Sequence, residues 1–107
     1  MNSACSLTIG EDGCGRLEGA LTFASVPGLY HHARDLLENQ KSFNSLDLDR
    51  VTTADSAGLA LLLEWQATQT TPANKLPIRN APAGLISLAR LCEADEFLDL
   101  SARSSGQ

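Results

Sequence analysis

The chain has 107 residues, a net charge of -5 and no cluster of Lys or Arg. It reads as one domain with neither the basic footprint of a nucleic-acid binder nor the basic helix of a membrane-surface protein. Apolar residues at 43% and charged residues at 20% fit a soluble folded domain, and aromatics at only 5% leave a core of mostly Leu and Ala.

From the N-terminus, Met1-Asn2-Ser3-Ala4-Cys5 has no basic residue and no apolar run, which is not the pattern of a secretory signal. Cys5, Cys14 and Cys92 are an odd number at unpatterned spacing, which predicts reduced thiols in the cytoplasm. Leu7 and Ile9 alternate with polar residues, as do Leu17, Gly19 and Leu21, on either side of Glu11-Asp12-Gly13. That pattern predicts a hairpin. Ser25 can cap a helix and Pro27 fits its first turn, so Leu29, Ala33, Leu36 and Leu37 predict a helix from about Val26 to Asn39.

Leu46, Leu48 and Val51 form one face of a short strand. A second helix opens near Ser56 and runs to about Thr70, stopped by Pro72 and Asn74. Leu76 and Ile78 flank Pro77 in another short strand. Pro82 opens a third helix with Leu85, Leu88, Ala89 and Cys92 on one face, and Phe97, Leu98 and Leu100 make a last strand or an apolar clamp. The predicted order is ββαβαβα(β), an α/β domain with a mainly parallel sheet over residues 1–100 and a frayed tail over 101–107. The longest apolar run, Gly58 to Leu63, is far short of the ~20 residues of a bilayer span.

Several chemistries have no sequence to carry them. There is no Walker A loop, no GxGxxG after a strand and no GxSxG elbow, so neither nucleotide binding of those kinds nor a serine hydrolase is expected. His31 and His32 are adjacent on a helix and diverge by about 100°, so they cannot share a metal. Asp47 and Asp49 lie on one strand face and are read as a solvated side rather than a cation site. No cofactor or metal is expected.

The informative stretch runs from Leu46 to Leu63. Asp55-Ser56 falls where the second helix begins, so a side-chain oxygen there can accept from a first-turn N–H. Gly58 inside the first turn costs ~1 kcal/mol relative to Ala. It is either incidental beside a plain cap or a place where another backbone or a partner comes close. With Leu59 as the reference, Leu62, Leu63, Gln66 and Thr70 fall within about 60° of it and form the expected core stripe. Leu61 and Trp65 fall near the opposite side, at about 200° and 240°, and form an i,i+4 apolar patch read as a partner surface. The alternative is that Trp65 folds over a neighbouring helix.

The segments Asp47-Leu48-Asp49-Arg50-Val51 and Asp55-Ser56-Ala57-Gly58-Leu59 resemble the STAS family, the sulfate-transporter and anti-sigma-factor-antagonist domain. Gly58-Leu59-Ala60-Leu61-Leu62-Leu63 and the late Leu88-Ala89-Arg90-Leu91 are similar to the branch that serves as a small cytoplasmic subunit of a phospholipid-transporting ABC complex. The resemblance implies a STAS fold with helices mainly on one face of the sheet and no catalysis. It implies an ABC transporter ATPase subunit as partner, placing the chain at the inner membrane through its complex. It also implies a role in outer-membrane lipid asymmetry. Ser56 matches the position phosphorylated in the antagonists, and Asp55 and Gly58 match its flanks. The expected interface is Asp55, Ser56, Ala57, Gly58, Leu61 and Trp65. The alternative function is an anti-sigma factor antagonist switched through Ser56.

Overall fold

The computed structural model describes residues 5–39, 42–69 and 74–103. Its elements follow in the order β1 (Cys5–Ile9), β2 (Cys14–Leu21), α1 (Val26–Glu38), β3 (Ser45–Ala54), α2 (Ser56–Gln69), β4 (Pro77–Ala81), α3 (Ala83–Leu91) and β5 (Asp99–Ala102). The predicted α/β order is therefore present, with a last strand that takes in Leu100 but not Phe97 or Leu98.

The β1–β2 hairpin is antiparallel and turns at Gly13, whose φ of +83° suits a residue without a Cβ. The remaining pairs are parallel and the sheet order is β1-β2-β3-β4-β5. Because each parallel strand lies beside its predecessor, every right-handed crossover deposits its helix on the same face. The helices form one layer, with α2 between α1 and α3. Strand alternation matches this single layer. Leu7, Leu17, Leu46, Leu48 and Ile78 are buried beneath the helices, while Arg16, Glu18, Asp49 and Arg79 face the opposite side.

The boundaries differ from the expectations where side chains found other partners. Ser25 precedes α1 but makes no capping bond. Its Oγ accepts from the Thr22 N–H and donates to the Ala20 carbonyl, closing the turn after β2. Helix α1 ends at Glu38, with Asn39 as its cap. Thr70 and Pro72, expected at the end of α2, lie outside the described residues. Cys92 is exposed at the C-cap of α3 rather than on its buried face, which is carried by Leu85 and Ala89. Phe97 is exposed and Leu98 is buried.

The tail expected from Ser101 is corrected as well. Ser101 and Ala102 belong to β5, and Arg103 is bound beyond it. Strands β3 and β4 pair only at Leu46↔Ile78 and Asp47↔Arg79. Where β3 has left its neighbour, Arg103 Nη2 donates to the carbonyls of Leu48 at 2.7 Å and Val51 at 3.0 Å, and its Nε donates to Asn80. A guanidinium thus satisfies carbonyls that the ladder leaves open. Residues 104–107 and 1–4 lie outside the described residues.

Candidate functional site

The segment Asp55-Ser56-Ala57-Gly58 lies just outside the carboxyl end of β3, where the chain turns into α2. Asp55 caps the helix. Its Oδ1 accepts from the backbone N–H of Ala57 at 2.9 Å and of Gly58 at 3.3 Å, two donors that a first turn leaves unpaired. Its Oδ2 accepts from the backbone N–H of Phe23 at 3.0 Å. One carboxylate therefore ties the turn after β2 to the start of α2. The Phe23 amide foremost, with those of Gly58 and Ala57, holds the Asp55 carboxyl below its ordinary 3.8 against the opposing effect of partial burial.

Ser56 is the first helical residue and is exposed. Its side chain hydrogen-bonds to none of the described residues. The cap is thus Asp55 alone, and the Ser56 hydroxyl is presented to solvent. Ala57 is half-buried. Gly58 is buried for a specific reason: a Cβ there would lie 2.5 Å from the Leu21 carbonyl oxygen. That same oxygen accepts the Asp55 N–H at 3.2 Å. Of the two readings of Gly58, the close approach of another backbone is the one present.

Leu61 and Trp65 do not form a surface patch. They are 3% and 2% exposed, and Trp65 meets Phe43 edge-on with ring centroids 5.3 Å apart. The physical reason is the position of α2. A helix in the middle of a layer has the sheet below it and a helix on each side, so most of its circumference is core. Its exposed arc is Ser56, Ala60, Glu64, Ala67 and Thr68. The core arc is centred near 280° on the Leu59 reference, close to Gly58 and Leu62, rather than on Leu59 itself. Gln66, placed in the core stripe, is buried, and its Oε1 accepts the Leu76 N–H at 2.6 Å.

Phe23 is the residue that periodicity missed. It is 80% exposed, although its N–H is held by Asp55. It lies in a turn, where neither helical nor strand spacing applies. The available signal was a large aromatic in a turn of an aromatic-poor chain.

The other candidates stay apart. His31 and His32 are both exposed on α1. Partial burial pushes the Asp47 carboxyl up, but the Asn80 amide, the Asp49 N–H, Arg16 and Arg79 outweigh it and leave it below the ordinary value. Among the described residues no three His, Cys, Asp or Glu side chains converge as a metal requires. The open sheet face has a shallow depression bordered by Ser6, Thr8, Arg16, Glu18, Asp47 and Arg50. There opposite charges sit in register, Arg16↔Asp47 and Glu18↔Arg50, with Asp49 beside them. Among the described residues no helix is long and apolar enough to cross a membrane.

Residues 10–100 match the family model described as MlaB, STAS domain. No curated protein matches the chain.

Proposed function

The chain belongs to the MlaB-type STAS domain family, and on that premise we propose that it is a non-catalytic subunit of an inner-membrane ABC phospholipid transporter. Members of this family are generally non-catalytic. In this reading the chain binds the ATPase subunit from the cytoplasmic side, regulates and stabilises it, and contributes through it to outer-membrane lipid asymmetry. It touches the membrane only through the complex, uses no cofactor and takes no small-molecule substrate of its own.

The single observation that carries the reading is the exposed Ser56 at the first turn of α2, on a frame fixed by Asp55 and Gly58. Asp55, Ser56 and Ala57 form the proposed contact, with Gly58 as the close-packed support beneath them. Leu61 and Trp65 drop out of it because they are buried. A domain of this kind acts by preferential binding: if it holds the assembled or active state of the ATPase more tightly, it raises the population of that state.

Reconstitution of the purified chain with the ATPase and permease subunits tests the reading. Co-elution with the ATPase, and ATP turnover that rises on adding the chain, are expected. A chain that elutes alone and leaves turnover unchanged contradicts it.

The free, exposed Ser56 hydroxyl favours a second reading, an anti-sigma factor antagonist whose binding a phosphate at Ser56 blocks. Phosphate transfer to Ser56 by an anti-sigma kinase, with loss of binding to it, supports that reading over transport.

A further inference from the structure

Ser56 and Ala57 are small and offer a partner little area, whereas Phe23 beside them offers a whole ring. A phenyl group left in water has most of its apolar area still to bury. Its backbone is not loose. The Phe23 N–H is held by Asp55, the Thr22 N–H by Ser25 Oγ at 3.0 Å, and the Ser25 N–H by the Thr22 carbonyl at 2.9 Å. With the backbone of the turn already fixed, docking has only the ring itself left to order.

The surroundings are as informative as the ring. Residues 22–30 and 51–63, the two segments that meet at Asp55, carry one charged residue between them in a chain that is 20% charged. That residue is Asp55, whose carboxylate already accepts three backbone N–H groups. Aromatics enriched and charges depleted are the marks of the centre of a protein interface. A partner that complements this surface presents an apolar, uncharged socket. A lipid occupant is opposed by the chain's net charge of -5, which anionic headgroups repel.

We propose that Phe23 is the anchor of the docking surface, that its ring enters an apolar, uncharged socket on the ATPase subunit, and that Asp55 is the positioning residue that presents it. This rests on the ATPase-docking reading above. Tyr30, 40% exposed, instead borders a groove with the charged Arg34 and Glu64, and Phe97 lacks this setting altogether. Phe97 precedes β5 and so lies at the amino end of the parallel strands, whereas Phe23 and Ser56 follow the carboxyl ends of β2 and β3.

The test is the dissociation constant of the purified chain for the purified ATPase subunit, at 50 and 500 mM salt (a tenfold span, as charge screening requires). Phe23→Ala is expected to weaken binding about 30-fold, as a central aromatic anchor does. Phe23→Tyr keeps the ring and is expected to bind within roughly threefold of wild type, and Phe97→Ala binds as wild type does. Affinity changes less than about threefold between the two salt concentrations, because the one charge in the contact, the Asp55 carboxylate, is already held by three backbone N–H groups and faces an uncharged socket. Asp55→Asn retains one acceptor oxygen, enough to cap α2 but not to hold Phe23 as well. It is expected to speed amide exchange at Phe23, leave the fold intact and weaken binding about fivefold. Wild-type affinity in Phe23→Ala, with wild type bound, overturns this inference and leaves the docking reading standing. No binding by wild type overturns both. Binding to phosphatidylcholine vesicles, or self-association of the free chain, that is lost in Phe23→Ala would overturn the protein socket.

Discussion

The Leu21 carbonyl oxygen and Gly58 approach so closely that a methyl group on Gly58 would lie 2.5 Å from the oxygen. The contact joins the end of β2 to the first turn of α2. It sets how deeply the amino end of α2 is seated and so where Ser56 emerges.

Gly58→Ala tests that contact by stability. Ala gains ~1 kcal/mol of helix propensity. Overpacking costs about 1–3 kcal/mol, and here the obstacle is a backbone carbonyl rather than a flexible side chain. The steric effect is expected to win, lowering the melting temperature by several degrees. An unchanged or higher value contradicts the seating of α2 described here.

Trp65→Ala is expected to destabilise by about 3–5 kcal/mol, the usual cost of emptying a large buried site. Leu61→Asp adds an unpaired carboxylate to the core and is expected to prevent stable folding. Denaturant unfolding of both variants is the measurement. Near-wild-type midpoints would mean that the two residues face solvent after all.

Asp55 gives a pH dependence whose sign follows from its lowered carboxyl pKa. A group depressed in the folded state stabilises above its ordinary 3.8 and loses that contribution as pH falls through the folded value. Asp55→Ala is therefore expected to cost about 1 kcal/mol at neutral pH, as loss of a cap does. The gap to wild type narrows as pH falls below about 4. A gap that is constant from neutral pH down through that range contradicts the carboxylate's role.

The element order was legible because the apolar residues of most strands and helices here recur at one clear spacing. In β3, Leu46 and Leu48 alternate with Asp47 and Asp49, and the buried side of the strand follows. Helix α2 was harder. Five of its apolar side chains, Leu59, Leu61, Leu62, Leu63 and Trp65, spread around most of its circumference. Such a pattern does not point to one core direction, so choosing Leu59 as the centre exposed Leu61 and Trp65 on paper. Apolarity on nearly all sides is itself the signature of a helix flanked by neighbours. The motif residues were legible in identity but not in role: Asp55 and Ser56 were equivalent as cap candidates, and only the helix start separates them. Arg103 had no local signal, since its partners Leu48 and Val51 lie more than 50 positions away in a strand that has parted from its neighbour. Phe23 was illegible for the related reason that its constraint comes from Asp55, across 32 positions.

The central claim is that the exposed Ser56 turn is a docking surface, and Ser56→Glu tests it most directly. A negative charge at the first turn of α2 is favoured by the helix dipole, so the free domain is expected to fold with an unchanged melting temperature. In a complex the same charge has to be buried beside Asp55, with desolvation and like-charge repulsion both opposed to it. The measurement is the affinity of folded Ser56→Glu for the purified ATPase subunit against that of wild type. A loss of at least about tenfold, some 1.4 kcal/mol, is the result predicted. Wild-type affinity with full stimulation of ATP turnover would contradict it and leave the Asp55-Ser56 turn as a helix start and nothing more.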